Sequence, residues 1–303
     1  MKGLTIIEHP PTLEKPSTIE IHNLSVFDPR DIFHCGQAFR WEEKAKNRYQ
    51  VTACQRVIEV EKTEDRILFY NTHRRDFEKI WREYFDLDTD YEKIQKRLIR
   101  RDPVMAEAVA FGRGIRILKQ QPFETLISFI ISSNNNIKRI KGSVEGLAKT
   151  YGKVIDSYDG RLHYAFPTPK ALSAASVEEL KLLGLGYRAR YVKETAEKVF
   201  ENPGILEKML QQKRRECLEG VSTFSGVGPK VGSCVVFFSM GKREAFPVDV
   251  WVKRMMEALY FHEPKPLAEI ERFAMEKFGK DAGYAQQYLF YYAREKGIGK
   301  PAK

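Results

Sequence analysis

From about Tyr91 onward the chain reads as one helix after another, each stopped by glycine or proline, whereas the residues before it alternate. Sheet and helices therefore come from separate stretches, and the fold class is α+β. In the first part, residues 18–24 and 56–61 alternate apolar with polar, and 66–70 is rich in β-formers. Asp65 and Asn71 fall at plausible turns. An antiparallel sheet is predicted, joined by a helix over 75–85 whose Phe77, Ile80, Trp81 and Tyr84 share a face. Further on, helices are predicted over 122–133, 137–151, 169–175, 176–183, 188–200, 229–240, 249–259, 266–278 and 282–296. The fourth of these opens with Ser176 and Glu179 in capping-box spacing. The expected organisation is a small antiparallel β-rich domain over 1–105 and a larger all-α domain over 106–303.

Composition narrows the partners. Of 303 residues, 43% are apolar, enough for real cores, and 51 cationic against 41 acidic side chains leave a net charge of +10. Such an excess suits a polyanion, because clustered cations release condensed counterions from a phosphate backbone. The start of the chain lacks the apolar core of a signal peptide. The longest apolar stretches, 127–131 and 235–238, are far too short to cross a bilayer, so a cytoplasmic protein without membrane contact is expected. Cys35, Cys54, Cys217 and Cys234 are scattered, with no pair at metal-ligand spacing, and the six histidines are dispersed. Neither an iron–sulfur cluster nor a side-chain metal site is expected.

The stretch most suggestive of chemistry runs from Phe224 to Cys234, FSGVGPKVGSC. Gly226 and Gly228 allow a tight turn, and Pro229 suits the first position of a new helix. Amides at such a helix start can hold a phosphate without reading a base. Lys230 lies in that first turn, where the helix dipole opposes its charge and favours a free amine nucleophile. Nineteen residues on, Asp249 stands before the next helix, where an N-cap position keeps a carboxylate ionised. An amine beside a fixed carboxylate suits glycosidic cleavage, the anion steadying charge on the sugar while the amine traps C1′. On these residues alone a plain helix–helix turn, a solvated Lys230 and a merely capping Asp249 explain the pattern equally well.

Five ordered motifs carry a resemblance that removes this ambiguity. Gly226-Val-Gly-Pro-Lys230 with Pro247-Val-Asp249 resembles the helix–hairpin–helix, Gly/Pro loop and aspartate of the DNA glycosylase superfamily. Together with CGQAFRW from Cys35, SSNNNIKR from Ser132, LGLGYRAR from Leu183 and AGYAQQYLF from Ala282, it resembles the 8-oxoguanine DNA glycosylase family over residues 35–290. The resemblance implies a bifunctional glycosylase and abasic-site lyase acting on duplex DNA, with Lys230 as Schiff-base nucleophile and Asp249 as active-site carboxylate; a monomer is the default expectation. It places Cys234 and Phe290 on the two faces of a flipped 8-oxoguanine and Gln286 on its Watson–Crick edge. The Gly36 carbonyl would accept N7–H, which guanine lacks. Asn134 would fill the gap in the stack, with Tyr187 as wedge, while Arg139 and Arg188 would bond the widowed cytosine. No cofactor is implied beyond a monovalent or calcium ion on main-chain carbonyls near Ser222, Phe224 and Val227.

The chain departs from the family pattern at Trp251, where relatives carry histidine, and at Ser225, where they carry proline. Gly232 departs too, and is expected to loosen its helix by up to ~1 kcal/mol relative to alanine. Two other readings compete. A monofunctional alkylated-purine glycosylase would keep the aspartate without the lysine, and a non-catalytic helix–hairpin–helix binder would need neither.

Overall fold

The computed structural model describes residues 4–12, 15–156 and 159–299. Six strands, β1 (Thr5–His9), β2 (Thr18–His22), β3 (Trp41–Ala45), β4 (Arg48–Ala53), β5 (Arg56–Lys62) and β6 (Arg66–Tyr70), form one sheet in the order β1-β2-β6-β5-β4-β3. Every pairing is antiparallel, with Ile19 opposite Phe69 and Val51 opposite Ile58. Between β4 and β5, Cys54 and Gln55 both take positive φ, 51° and 59°, the geometry of a two-residue hairpin whose twist matches its strands. The sheet buries Ile19, Ile21, Val60 and Phe69 against Phe77, Trp81 and Phe85. Those rings stack edge to face, as with Phe69 and Phe77 at 5.3 Å. The helical run over 74–84 thus turns Phe77, Trp81 and Tyr84 inward as its spacing predicts, with Ile80 only partly covered.

A second core begins at the helix Tyr91–Arg101, which sequence reading grouped with the sheet. Its Tyr91, Ile94 and Leu98 join Met105 and Ala108 of Pro103–Phe111 in one continuous core to which the later helices also contribute. Most predicted helices are present within a few residues, among them Ile137–Tyr151, Arg188–Glu201, Pro229–Phe238, Leu267–Phe278 and Ala282–Lys296. The Ser176 capping box forms as expected, but its helix closes early at Leu180 and widens through Gly184, at φ +82°. Sequence reading missed the helix Pro29–His34, the strands β1, β3 and β4, and the small hairpin of Val154–Asp156 with His163–Tyr164. It also missed Ile205–Leu210 and Arg214–Val221.

Arg214–Val221 and Pro229–Phe238 are the two helices flanking the glycine turn, and they explain Gly232. A Cβ there would stand 2.9 Å from Leu218 Cδ1, so the missing side chain lets the two helices approach. Gly232 is thus a point of contact between the two helices, whatever its propensity costs the helix. Among the described residues, no helix is long and apolar enough to cross a membrane.

Candidate active site

The turn between these two helices is fixed by sterics. Gly226 sits at φ +77°, and a Cβ on it would lie 2.7 Å from the Tyr191 ring. Gly228 caps the Pro229–Phe238 helix, Pro229 fills its first position, and Lys230 follows in the first turn, as the sequence predicts. The lysine Nζ lies 5.4 Å from the centroid of the Phe129 ring, on the helix Pro122–Ser132. Phe129 is itself stacked on Phe238, 5.4 Å between centroids and 7° between planes. One turn beyond Lys230 the Cys234 thiol is buried; burial pushes its pKa up, as does Asp249, while Lys230 beside it pulls the other way. Asp249 occupies the N-cap of Val250–Met256, its Oδ1 accepting the Val252 N–H at 2.8 Å.

Lys230, Cys234, Asp249, Gly36, Gln286 and Phe290 all line one cleft of about 60 Å³, so residues far apart in sequence converge there. Cys35, Phe129, Phe238, Pro247, Val252 and Gln287 complete it, and the sequence assigned none of these a place in the pocket. Gln286 and Phe290 are one turn apart on Ala282–Lys296. Gln286 is buried, and its Oε1 has no hydrogen-bond partner among the described residues. The opposite wall comes from the sheet half. Its Gly36 loop is held by Gln287, whose Nε2 donates to the Cys35 carbonyl, and by the fully buried Gln37. Gln37 Nε2 donates to the carbonyls of Ile32 and Arg116 at 2.9 and 2.8 Å, and its Oε1 accepts the Leu118 N–H at 2.8 Å.

The remaining predicted residues form an outer edge. Asn134 and Arg139 are exposed, Asn134 with φ +47° in the turn between Pro122–Ser132 and Ile137–Tyr151. Tyr187 is 55% exposed, and the Arg188 Cζ lies 4.4 Å from the centroid of its ring. Arg188 differs from Arg139 because it is buried and engaged. Its Nε donates to the Ser133 carbonyl at 2.7 Å, Nη2 to Ser133 and to Asn134 at 2.7 Å, and Nη1 to Leu185 at 3.4 Å. The structure gives Arg188 a bracing task that its sequence did not signal. Tyr187 meets Tyr191 edge to face at 6.1 Å, and Tyr191 covers Gly226, so the edge continues into the hairpin.

A family model described as the 8-oxoguanine DNA glycosylase N-terminal domain matches residues 20–126. One described as an HhH-GPD superfamily base excision DNA repair protein matches residues 127–280. The N-glycosylase/DNA lyase OGG1 of Arabidopsis thaliana is 30% identical over 274 residues, 85% of this chain and 75% of that protein. The chain belongs to the 8-oxoguanine DNA glycosylase family. Within it, the probable N-glycosylase/DNA lyase of Methanothermobacter thermautotrophicus is 32% identical to this glycosylase over 236 residues, 71% of this chain and 74% of that one. The Clostridium acetobutylicum 8-oxoguanine glycosylase/lyase, solved with double-stranded DNA containing cytosine opposite 8-oxoguanine, is 41% identical. The match has a TM-score of 0.92 and covers 97% of this chain and 99% of that one.

Proposed function

We propose that this protein excises 8-oxoguanine from duplex DNA and then nicks the strand, using Lys230 as nucleophile. The observation that carries this reading is the convergence of Lys230 and Asp249, from two helix starts, on the cleft walled by Cys234, Gln286, Phe290 and Gly36. A water-activating glycosylase needs no lysine there, and a simple DNA binder needs no such cleft. The base would enter between Cys234 and Phe290. Ligand sites usually offer ~300 Å³ or more, against about 60 Å³ here, so the walls part as it enters.

The Lys230 amine attacks C1′, the C1′–N9 bond breaks, and the electron pair leaves with the purine. The amine loses a proton and the purine gains one. Asp249, held by its cap bond to Val252, stabilises the positive charge that grows on the sugar. The C1′–O4′ bond then breaks, O4′ taking a proton, which opens the sugar and leaves a Schiff base between C1′ and the lysine; loss of a C2′ proton to a base expels the 3′ phosphate by β-elimination. In the hairpin, the Phe224 carbonyl accepts the Val227 N–H at 3.2 Å and keeps a lone pair for a monovalent or calcium ion, shared with the Ser222 and Val227 carbonyls. Such an ion would supply a fixed positive charge beside a DNA phosphate.

Borohydride reduction in the presence of 8-oxoguanine opposite cytosine tests the assignment. Wild type should give a covalent protein–DNA adduct and Lys230→Gln none; an adduct with Lys230→Gln would sink Lys230 as nucleophile. Asp249→Asn separates the two tasks of that residue, because asparagine caps helices as well as aspartate. Its melting temperature should stay near wild type while single-turnover excision slows by about a hundredfold or more. A loss of stability without a loss of rate would leave Asp249 as a cap only.

A further inference from the structure

Two buried side-chain atoms without a hydrogen-bond partner among the described residues belong to the helix Ala282–Lys296. One is the Gln286 Oε1 acceptor; the other is the Arg294 Nη1 donor, two turns further along, with Phe290 midway between them. The arginine is otherwise tied down. Its Nη2 donates to the His34 carbonyl, and Nη2 and Nε bond Glu295 Oε1 at 2.9 and 3.1 Å. Its Cζ lies 5.6 Å from the centroid of the Phe290 ring. A Cβ built on Gly36 would stand 3.5 Å from Nη1 and 3.4 Å from Phe290 Cε1. The guanidinium is thus paired through Nη2 and Nε, but its buried Nη1 stands unmatched beside the glycine of the base pocket, which is costly.

We propose that Arg294 is a further specificity residue that donates a hydrogen bond to O8 of the flipped lesion. The proposal rests on the reading of the cleft given above. The two ends of an 8-oxoguanine ring match the two unpaired atoms. Its Watson–Crick edge carries N1–H and N2–H donors for Gln286, and its five-membered ring carries an acceptor, O8, next to the N7–H that the Gly36 carbonyl accepts. Guanine reverses both features at that end. It presents an N7 lone pair to a carbonyl oxygen and a C8–H to a guanidinium, so two buried polar groups lose their partners at once. The same contact aids departure of the base. When C1′–N9 breaks, the electron pair on N9 is conjugated through C8 with O8, and a donor cation at O8 stabilises the leaving purine.

Single-turnover rates on two duplexes test this, one carrying 8-oxoguanine opposite cytosine and one carrying an abasic site at the same position. The ratio of base-excision to abasic-cleavage rate should fall about tenfold or more in Arg294→Met. Arg294→Lys, which keeps a charged donor, should recover part of it. A purely structural role, or a contact to phosphate, would slow both reactions alike and leave the ratio unchanged, which would overturn the proposal. So would an unchanged excision rate in Arg294→Met. Failure of the wild type to release 8-oxoguanine while it still cleaves the abasic site would instead overturn the reading of the cleft, and the proposal with it.

Discussion

At Gly226 a single methyl group meets two obstacles. Its φ of +77° is a conformation that side-chain-bearing residues avoid, and the Tyr191 ring leaves no room beside it. Gly226→Ala should therefore cost about 1–3 kcal/mol and weaken binding to undamaged duplex. Thermal melting and a binding titration would show both; an unchanged melting temperature would mean that Tyr191 yields freely. Gly226 was legible in the sequence because its role is local, as were Lys230 and Asp249, whose positions follow from neighbouring glycine, proline and helix starts. Gln287 was not, although it stands next to Gln286. Only the approach of the Cys35 carbonyl, some 250 residues away in sequence, gives it a task. Arg294 and Phe129 share that property, for each is defined by a tertiary neighbour rather than by a motif.

Among the elements, long amphipathic helices were legible and short or exposed ones were not. Arg214–Val221 has eight residues, half of them charged, and fully buries only Cys217 and Val221, with Leu218 partly covered. Trp41–Ala45 is an edge strand with only partly buried or exposed residues, so no alternation marks it. The turn after Pro122–Ser132 illustrates a second limit: its sequence shows the asparagines but not what holds them. Arg188 spends most of its donors on the Ser133 and Asn134 carbonyls, whereas Arg139 is exposed on the following helix. The two arginines should then fail differently. Arg139→Ala should lower the preference for cytosine over adenine opposite the lesion by about tenfold, the cost of one good base contact. Arg188→Ala should lower the melting temperature and slow excision opposite either base, because the turn loses the donor that ties down the Ser133 and Asn134 carbonyls. Excision rates opposite cytosine and adenine, measured beside thermal melts, distinguish them. Loss of cytosine preference in Arg188→Ala at full stability would return that residue to the opposite base.

At the scale of the whole molecule, the charge balance foreshadowed a polyanionic partner, but the titrating groups of the interior were hidden. Burial raises the Glu124 carboxyl to about 7, aided by Glu145 and opposed by Arg40. The folded protein therefore binds a proton there that the unfolded chain releases at lower pH, and this group's contribution to stability falls as pH rises. Glu124→Gln removes the effect. Its unfolding free energy minus that of wild type should grow between about pH 4.5 and 7 and then level off, as denaturant titrations across that range would show. A flat difference would mean that Glu124 is ionised throughout.

The seam between the two halves runs through the cleft itself, with the loop at Gly36 on one side and Lys230 and Asp249 on the other. The cleft walls thus draw on both parts of the chain, Gly36 from one and Cys234, Gln286 and Phe290 from the other, whereas Lys230 and Asp249 both come from the helical part. A lineage could remodel the loop that follows the helix Pro29–His34, altering which damaged base is accepted, while the bond-breaking apparatus is inherited intact. The helix Ala282–Lys296 is the exception, because it spans the seam and carries Gln286 and Phe290 to the cleft while anchoring Cys35 through Gln287. That helix is where the history of the two halves has to be written jointly.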